Sequence, residues 1–108
     1  MARKDPLAWL LDWYLAQCDG DWEHDCGVKV ETLDNPGWSL TIDLRDTELE
    51  DQAFARVEHG QPSENLEAWR GLGSWWVCEV KDRRFQAHCG PLDLAVVIDL
   101  FRSWAGAD

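Results

Sequence analysis

Between Val28 and Leu44, apolar side chains recur at alternate positions on both sides of Asn35-Pro36-Gly37. Val28, Val30 and Thr32 alternate with Lys29, Glu31 and Leu33. Trp38, Leu40, Ile42 and Leu44 alternate with Ser39, Thr41 and Asp43. A period of two belongs to a strand, and a strand patterned this way has one face in a core and one in water. Proline presets the second position of a tight turn. Glycine is expected to supply a positive φ at the third, as in a type II turn. The segment therefore predicts an antiparallel hairpin whose apolar face needs a cover.

Two helices are placed to provide it. Asp5 and Pro6 form a cap and first turn. Leu7, Leu10, Leu11, Tyr14, Leu15 and Cys18 then follow at helical spacing, with Trp9 and Trp13 as a second stripe beside them. The six-residue stripe is expected to face the core. A helix apolar over so much of its girth is either deeply buried or touches a partner as well as the core. Gly20 is its expected stop. Near the other end, Gly90-Pro91 opens a helix carrying Leu94, Val97, Ile98, Phe101, Trp104 and Ala105 on one side. Asp93 and Arg102 sit where they complement its dipole.

Trp75 to Val80 and Phe85 to Cys89 predict a second hairpin around Lys81-Asp82-Arg83-Arg84, with a weak strand over Phe54 to Glu58. Residues 59–74 read as a loop insertion in which Ser63 is placed to cap a short helix over 64–70. The expected fold is α+β: one domain over residues 1–108, with an antiparallel sheet of four to five strands. The N-terminal and C-terminal helices pack on one face of it.

Ten basic residues against twenty-one acidic ones give a net charge of −11. Phosphate backbones repel such a surface, so direct nucleic-acid binding is not expected. A basic partner is attracted, although acidity also serves solubility alone. Eight tryptophans supply core area and suit a binding surface. The N-terminal residues are polar, and the apolar run after them contains Asp12 and is too short to span a bilayer. A cytoplasmic protein with no membrane role is expected, with Cys18, Cys26, Cys78 and Cys89 as reduced thiols.

The densest chemistry lies in Cys18-Asp19-Gly20-Asp21-Trp22-Glu23-His24-Asp25-Cys26-Gly27. There is no C-x-x-C pair for zinc. A calcium loop begun at Asp19 would place His24 where glycine is needed and Val30 where glutamate is needed. There is no nucleophile elbow, P-loop or dinucleotide fingerprint. No catalytic residue, metal ligand or cofactor is assigned. Two readings of the stretch stand side by side. In one it is a polar connection with Trp22 packed inward. In the other it is a rigid acidic loop with an aromatic anchor, meeting the Arg and Lys side chains of a partner.

These residues resemble the immunity protein 53 family of bacterial polymorphic-toxin systems. The resemblance rests on Trp9-Leu10, Trp13-Tyr14, the run Cys18 to His24, and Gly27-Val28. It continues through Thr32-Leu33-Asp34-Asn35-Pro36-Gly37-Trp38 and Ile42-Asp43-Leu44, then Thr47, Leu49, Trp76, Cys78, Phe85 and the Leu94 to Trp104 helix. It covers nearly the whole chain. Cys26 departs from the expected aromatic, and 59–74 is longer than the pattern. The resemblance implies a non-enzymatic protector that binds and neutralises a cognate toxin domain, with a basic nuclease fitting the charge. Asp19, Asp21, Trp22, Glu23, His24, Asp25, Asp34 and Asn35 are the candidate contacts it implies. A small metal-dependent enzyme using the Asp19–Asp25 loop and a self-associating structural subunit are the alternatives. The oligomeric state is left open.

Overall fold

The computed structural model describes residues 5–34, 36–60 and 74–106. The predicted short helix over 64–70 and the candidate contact Asn35 lie outside the described residues. The elements follow in the order α1 (Pro6–Gln17), α2 (Trp22–Asp25), β1 (Val28–Leu33), β2 (Gly37–Asp43), β3 (Val57–His59), β4 (Trp76–Lys81), β5 (Arg84–Cys89) and α3 (Leu94–Trp104). The five strands form one antiparallel sheet in the order β1-β2-β5-β4-β3. Each hairpin is closed by neighbouring strands, and β2 joins β5 to fuse the two hairpins. The α+β expectation holds, with five strands.

Alternation decides which face is covered. Leu40 and Ile42 of β2, Phe85, Ala87 and Cys89 of β5, and Cys78 of β4 are buried under the helices. Lys29, Thr41, Gln86 and Glu79, one residue out of phase, lie on the opposite face. Both Cys78 and Cys89 are buried small hydrophobes. Loss of hydration pushes their thiols up to about 12 and about 11 respectively, which leaves them protonated and unreactive.

The helices meet the sheet through aromatic rings. Phe101 of α3 lies 5.0 Å from Phe85 of β5, 5.1 Å from Trp13 and 5.8 Å from Trp9, both of α1, and 6.0 Å from Trp104 (centroid distances). Phe54 continues the cluster against Phe85 at 5.5 Å and Trp104 at 5.1 Å. The Trp104 indole donates its N–H to the Ala53 carbonyl at 2.8 Å, fastening the end of α3 to the segment before β3.

This contact corrects the expected orientation of α1. Asp5 caps the helix, its Oδ1 accepting from the Ala8 amide at 2.9 Å. Yet the stripe turned inward is the narrower one, Trp9, Leu10 and Trp13, while Leu7, Leu11, Tyr14 and Leu15 remain exposed. Two indoles bury more area than leucines at the same positions, and edge-to-face pairing with Phe101 adds to it. Periodicity located both stripes and could not rank them.

Turn chemistry supplies two further corrections. Gly37 is not a positive-φ residue; it opens β2 opposite Leu33. Its hydrogen is needed for a different reason. A Cβ there would stand 2.2 Å from the Cys89 carbonyl oxygen, where β2 runs against β5. The positive φ values fall instead in the second hairpin, at Asp82 (54°) and Arg83 (59°), a two-residue loop of the mirror-image type that matches strand twist. Asp93 is also more than a dipole partner. It is buried, and its Oδ2 accepts from the Trp75 amide at 3.1 Å.

Two substitutions test this packing by thermal or denaturant unfolding. Phe101→Ala removes the ring shared by α1, α3 and β5 and is expected to cost about 3–5 kcal/mol. Gly37→Ala forces β2 away from β5 and is expected to cost about 1–3 kcal/mol. If instead Gly37 were held by its turn conformation alone, alanine at this ordinary φ would be neutral.

Candidate functional site

The acidic stretch between α1 and β1 folds on itself through its own carboxylates. Asp19 Oδ1 accepts from the amides of Asp21 and Trp22, both at 2.9 Å. Glu23 reaches back to the amides of Asp19 at 3.0 Å and Gly20 at 2.9 Å. Reciprocal side-chain capping of this kind satisfies amides that open a helix, and here it seeds the single turn of α2. Gly20, at φ 97°, makes the bend between α1 and that turn. Donation from Trp22, then from Asp21, holds the Asp19 carboxyl below its usual value. Glu23 is lowered likewise by its own amide, by those of Asp19 and Gly20, and by the neighbouring His24.

Trp22 is the anchor of the loop, and it points inward. It is 5% exposed and packs edge-to-face on Trp13 at 6.3 Å and Tyr14 at 6.0 Å. Its indole N–H donates to the Arg45 carbonyl at 2.8 Å. Arg45 returns the contact by donating from Nη2 to the Asp25 carbonyl at 3.1 Å. The loop exit is pinned by Asp43, whose Oδ2 accepts from the Gly27 amide at 3.2 Å while Oδ1 accepts from Arg84 Nε at 3.1 Å.

These bonds join two segments distant in sequence. Residues 19–25 and 43–51 together carry nine Asp and Glu residues and one basic residue, Arg45. Asp21, His24 and Asp25 are exposed on the first segment, and Asp46, Glu48 and Asp51 on the second. Asp34 is exposed at the far end of β1, across the first hairpin from the loop. Thus Asp19, Asp21, Trp22, Glu23, His24 and Asp25 form one unit, and Asp34 stands apart from it. The second acidic segment was missed by sequence reading. Its composition was the available signal, but only the Trp22 and Arg45 bonds show where it lies.

Beside the loop exit, the sheet face opposite the helices holds a shallow polar depression of about 550 Å³, lined by residues that include Lys29, Thr41, Asp43, Arg84 and Gln86. Among the described residues, no group of three or more His, Cys, Asp or Glu side chains is arranged to hold a metal ion. Among them also, no helix is long and apolar enough to cross a membrane.

The immunity protein 53 family model matches residues 7–106. The chain belongs to the immunity protein 53 family. The match runs from the first turn of α1 past the end of α3, so it takes in every described element of the fold. No curated protein and no solved structure matches the chain. The protein is by family an immunity protein, and its acidic loop lies within the matched region.

Acid should open this loop before it unfolds the sheet. Asp19 and Glu23 titrate lower in the folded loop than in an unfolded chain. Their stabilisation is therefore complete above the ordinary carboxylate range and is lost as pH falls through the lowered values. Amide-exchange protection at Asp21 and Trp22 is expected to drop in Asp19→Ala at neutral pH. The gap from wild type should close on acidification. A gap that persists in acid would remove the carboxylate from this role.

Proposed function

We propose that this immunity protein is a non-enzymatic inhibitor, acting in the cytoplasm, which binds a cognate toxin domain through the joined acidic loops 19–25 and 43–51. The supporting observation is their shared framework. Asp19 and Glu23 spend their hydrogen bonds fixing the first loop on itself, and Trp22 and Asp43 tie that stretch to the second, while Asp21, His24, Asp25, Asp46 and Glu48 are left to water. A surface of this kind is already ordered before binding, so little conformational entropy is lost when it meets Arg and Lys side chains. A toxin that handles nucleic acid carries a basic site for phosphates, and the −11 charge suits that class of target. Asp34, exposed just past the end of β1, is with Asn35 a second candidate contact. In this reading the loop residues divide into those that build the surface and those that present it.

The test is a pull-down from the lysate of its own organism at low and high salt, followed by association kinetics with the captured toxin domain. Asp21→Lys with Asp25→Lys and Asp46→Lys is expected to leave the melting temperature nearly unchanged. It should slow association about tenfold or more at low salt, with a smaller effect at high salt. Equal on-rates for variant and wild type would take the acidic loops out of the interface.

A further inference from the structure

The two edges of the sheet are built differently. β3 is only three residues long and ends at His59, whereas β1 runs for six residues from Val28 to Leu33. No described residue pairs with the outer side of β1. The Asp43 amide donates to the Gly27 carbonyl at 3.0 Å, so Gly27 faces β2. By the alternation of an antiparallel ladder, residues 29, 31 and 33 also bond toward β2. The N–H and C=O groups of Val28, Val30 and Thr32 then point to the open edge. Long edges with free main-chain groups are what natural sheets normally shorten, bend or cover.

The same edge is apolar on the helix side. Val30 is 44% exposed although its β2 partner Leu40 is fully buried. Between β1 and α1 runs a groove of about 460 Å³, bordered by Leu7, Leu11, Tyr14, Val28 and Val30. Leu11 and Leu15 of α1 are 59% and 69% exposed. What covers this region must therefore offer a strand to the edge and an apolar surface above it.

The sequence of β1 names an occupant. Around Val30 it reads Val-Lys-Val-Glu-Thr. Pairing with a second copy in antiparallel register, centred on Val30, sets Val30 opposite Val30 and Val28 opposite Thr32. All of these have their main-chain groups turned to the seam. On the other face the same register sets Lys29 opposite the Glu31 of the second copy, and Glu31 opposite its Lys29. Within one chain these two side chains already meet at 3.0 Å. Opposite charges directly across a strand pair stabilise it, and like charges destabilise it. Leu7 and Leu11, which border the groove beside Val30, lie on the same side of the sheet as the Val30 side chains at such a seam.

We propose that β1 is the seam of a twofold homodimer, in which two copies join edge to edge through the Val30-centred register and cover each other's α1 leucines.

The register makes a test that intrachain effects cannot imitate. Lys29→Glu alone places four acidic side chains together across the seam, and Glu31→Lys alone places four basic ones. Mixed in equal amounts, the two variants regain every opposite-charge pair across the seam, while within each chain residues 29 and 31 still repel. Mass would be measured by sedimentation and light scattering over a wide concentration range. Wild type is expected at twice the 12.4 kDa chain mass. Each single variant should dissociate about tenfold more readily, and the mixture should return to wild-type affinity as a heterodimer. Wild type that stays monomeric to millimolar concentration would overturn the proposal. So would a dimer indifferent to both variants and their mixture. Monomers whose Val28, Val30 and Thr32 amides gain exchange protection only on adding the toxin domain would overturn it too, giving the edge to a toxin strand.

Discussion

An antiparallel sheet with one apolar face is unstable until something covers it, and in the described structure two helices do so. Phe101 is where that requirement is met. Its ring touches Phe85 of the sheet, Trp9 and Trp13 of the first helix, and Trp104 of its own helix. The two long helices are thus tied to the middle of the sheet by one side chain. The orientation of α1 follows from it, because docking the indoles on Phe101 turns the leucine stripe outward. The exposed stripe is a consequence of core packing, and it leaves Leu7, Leu11 and Leu15 at the surface.

The acidic loop depends on the same cluster. Trp22 packs edge-to-face on Trp13, and its N–H reaches the segment after β2. Five acidic residues within 19–25 and 43 would repel one another in an open loop. Here three of them, Asp19, Glu23 and Asp43, are neutralised in part by backbone amides or by Arg84. That division of labour lets a run of carboxylates keep one shape while others stay open to solvent. The two readings of the stretch part at Trp22, which is packed inward, so the proposed partner contact falls to the carboxylates left in solvent.

Much of the fold was legible in the sequence because strand and helix periods are local. Alternation located both hairpins, and Asp5-Pro6 and Gly90-Pro91 marked the starts of the terminal helices. The one-residue alternation also set the register of each pair, since a slip would turn Leu40, Ile42, Phe85 and Ala87 to water. Less was legible at the site. The capping by Asp19 and Glu23 shows in the spacing only once α2 is known to exist. The neighbourhood of loops 19–25 and 43–51 depends on Trp22 and Arg45, separated by 23 positions.

What the sequence determined by itself was element type, strand pairing within each hairpin, net charge and membership in the immunity protein 53 family. These are properties of neighbours along the chain or of the chain as a whole. What only the tertiary structure decided was which stripe of α1 is buried, why Gly37 must be glycine, which acidic residues are spent on the loop, and that β1 is an open edge among the described residues. Each of these depends on an atom far away in sequence: Phe101 for the helix, the Cys89 carbonyl for the glycine, Arg45 for the loop, and β5 for the edge. By taking the other side of β2, β5 leaves β1 outermost.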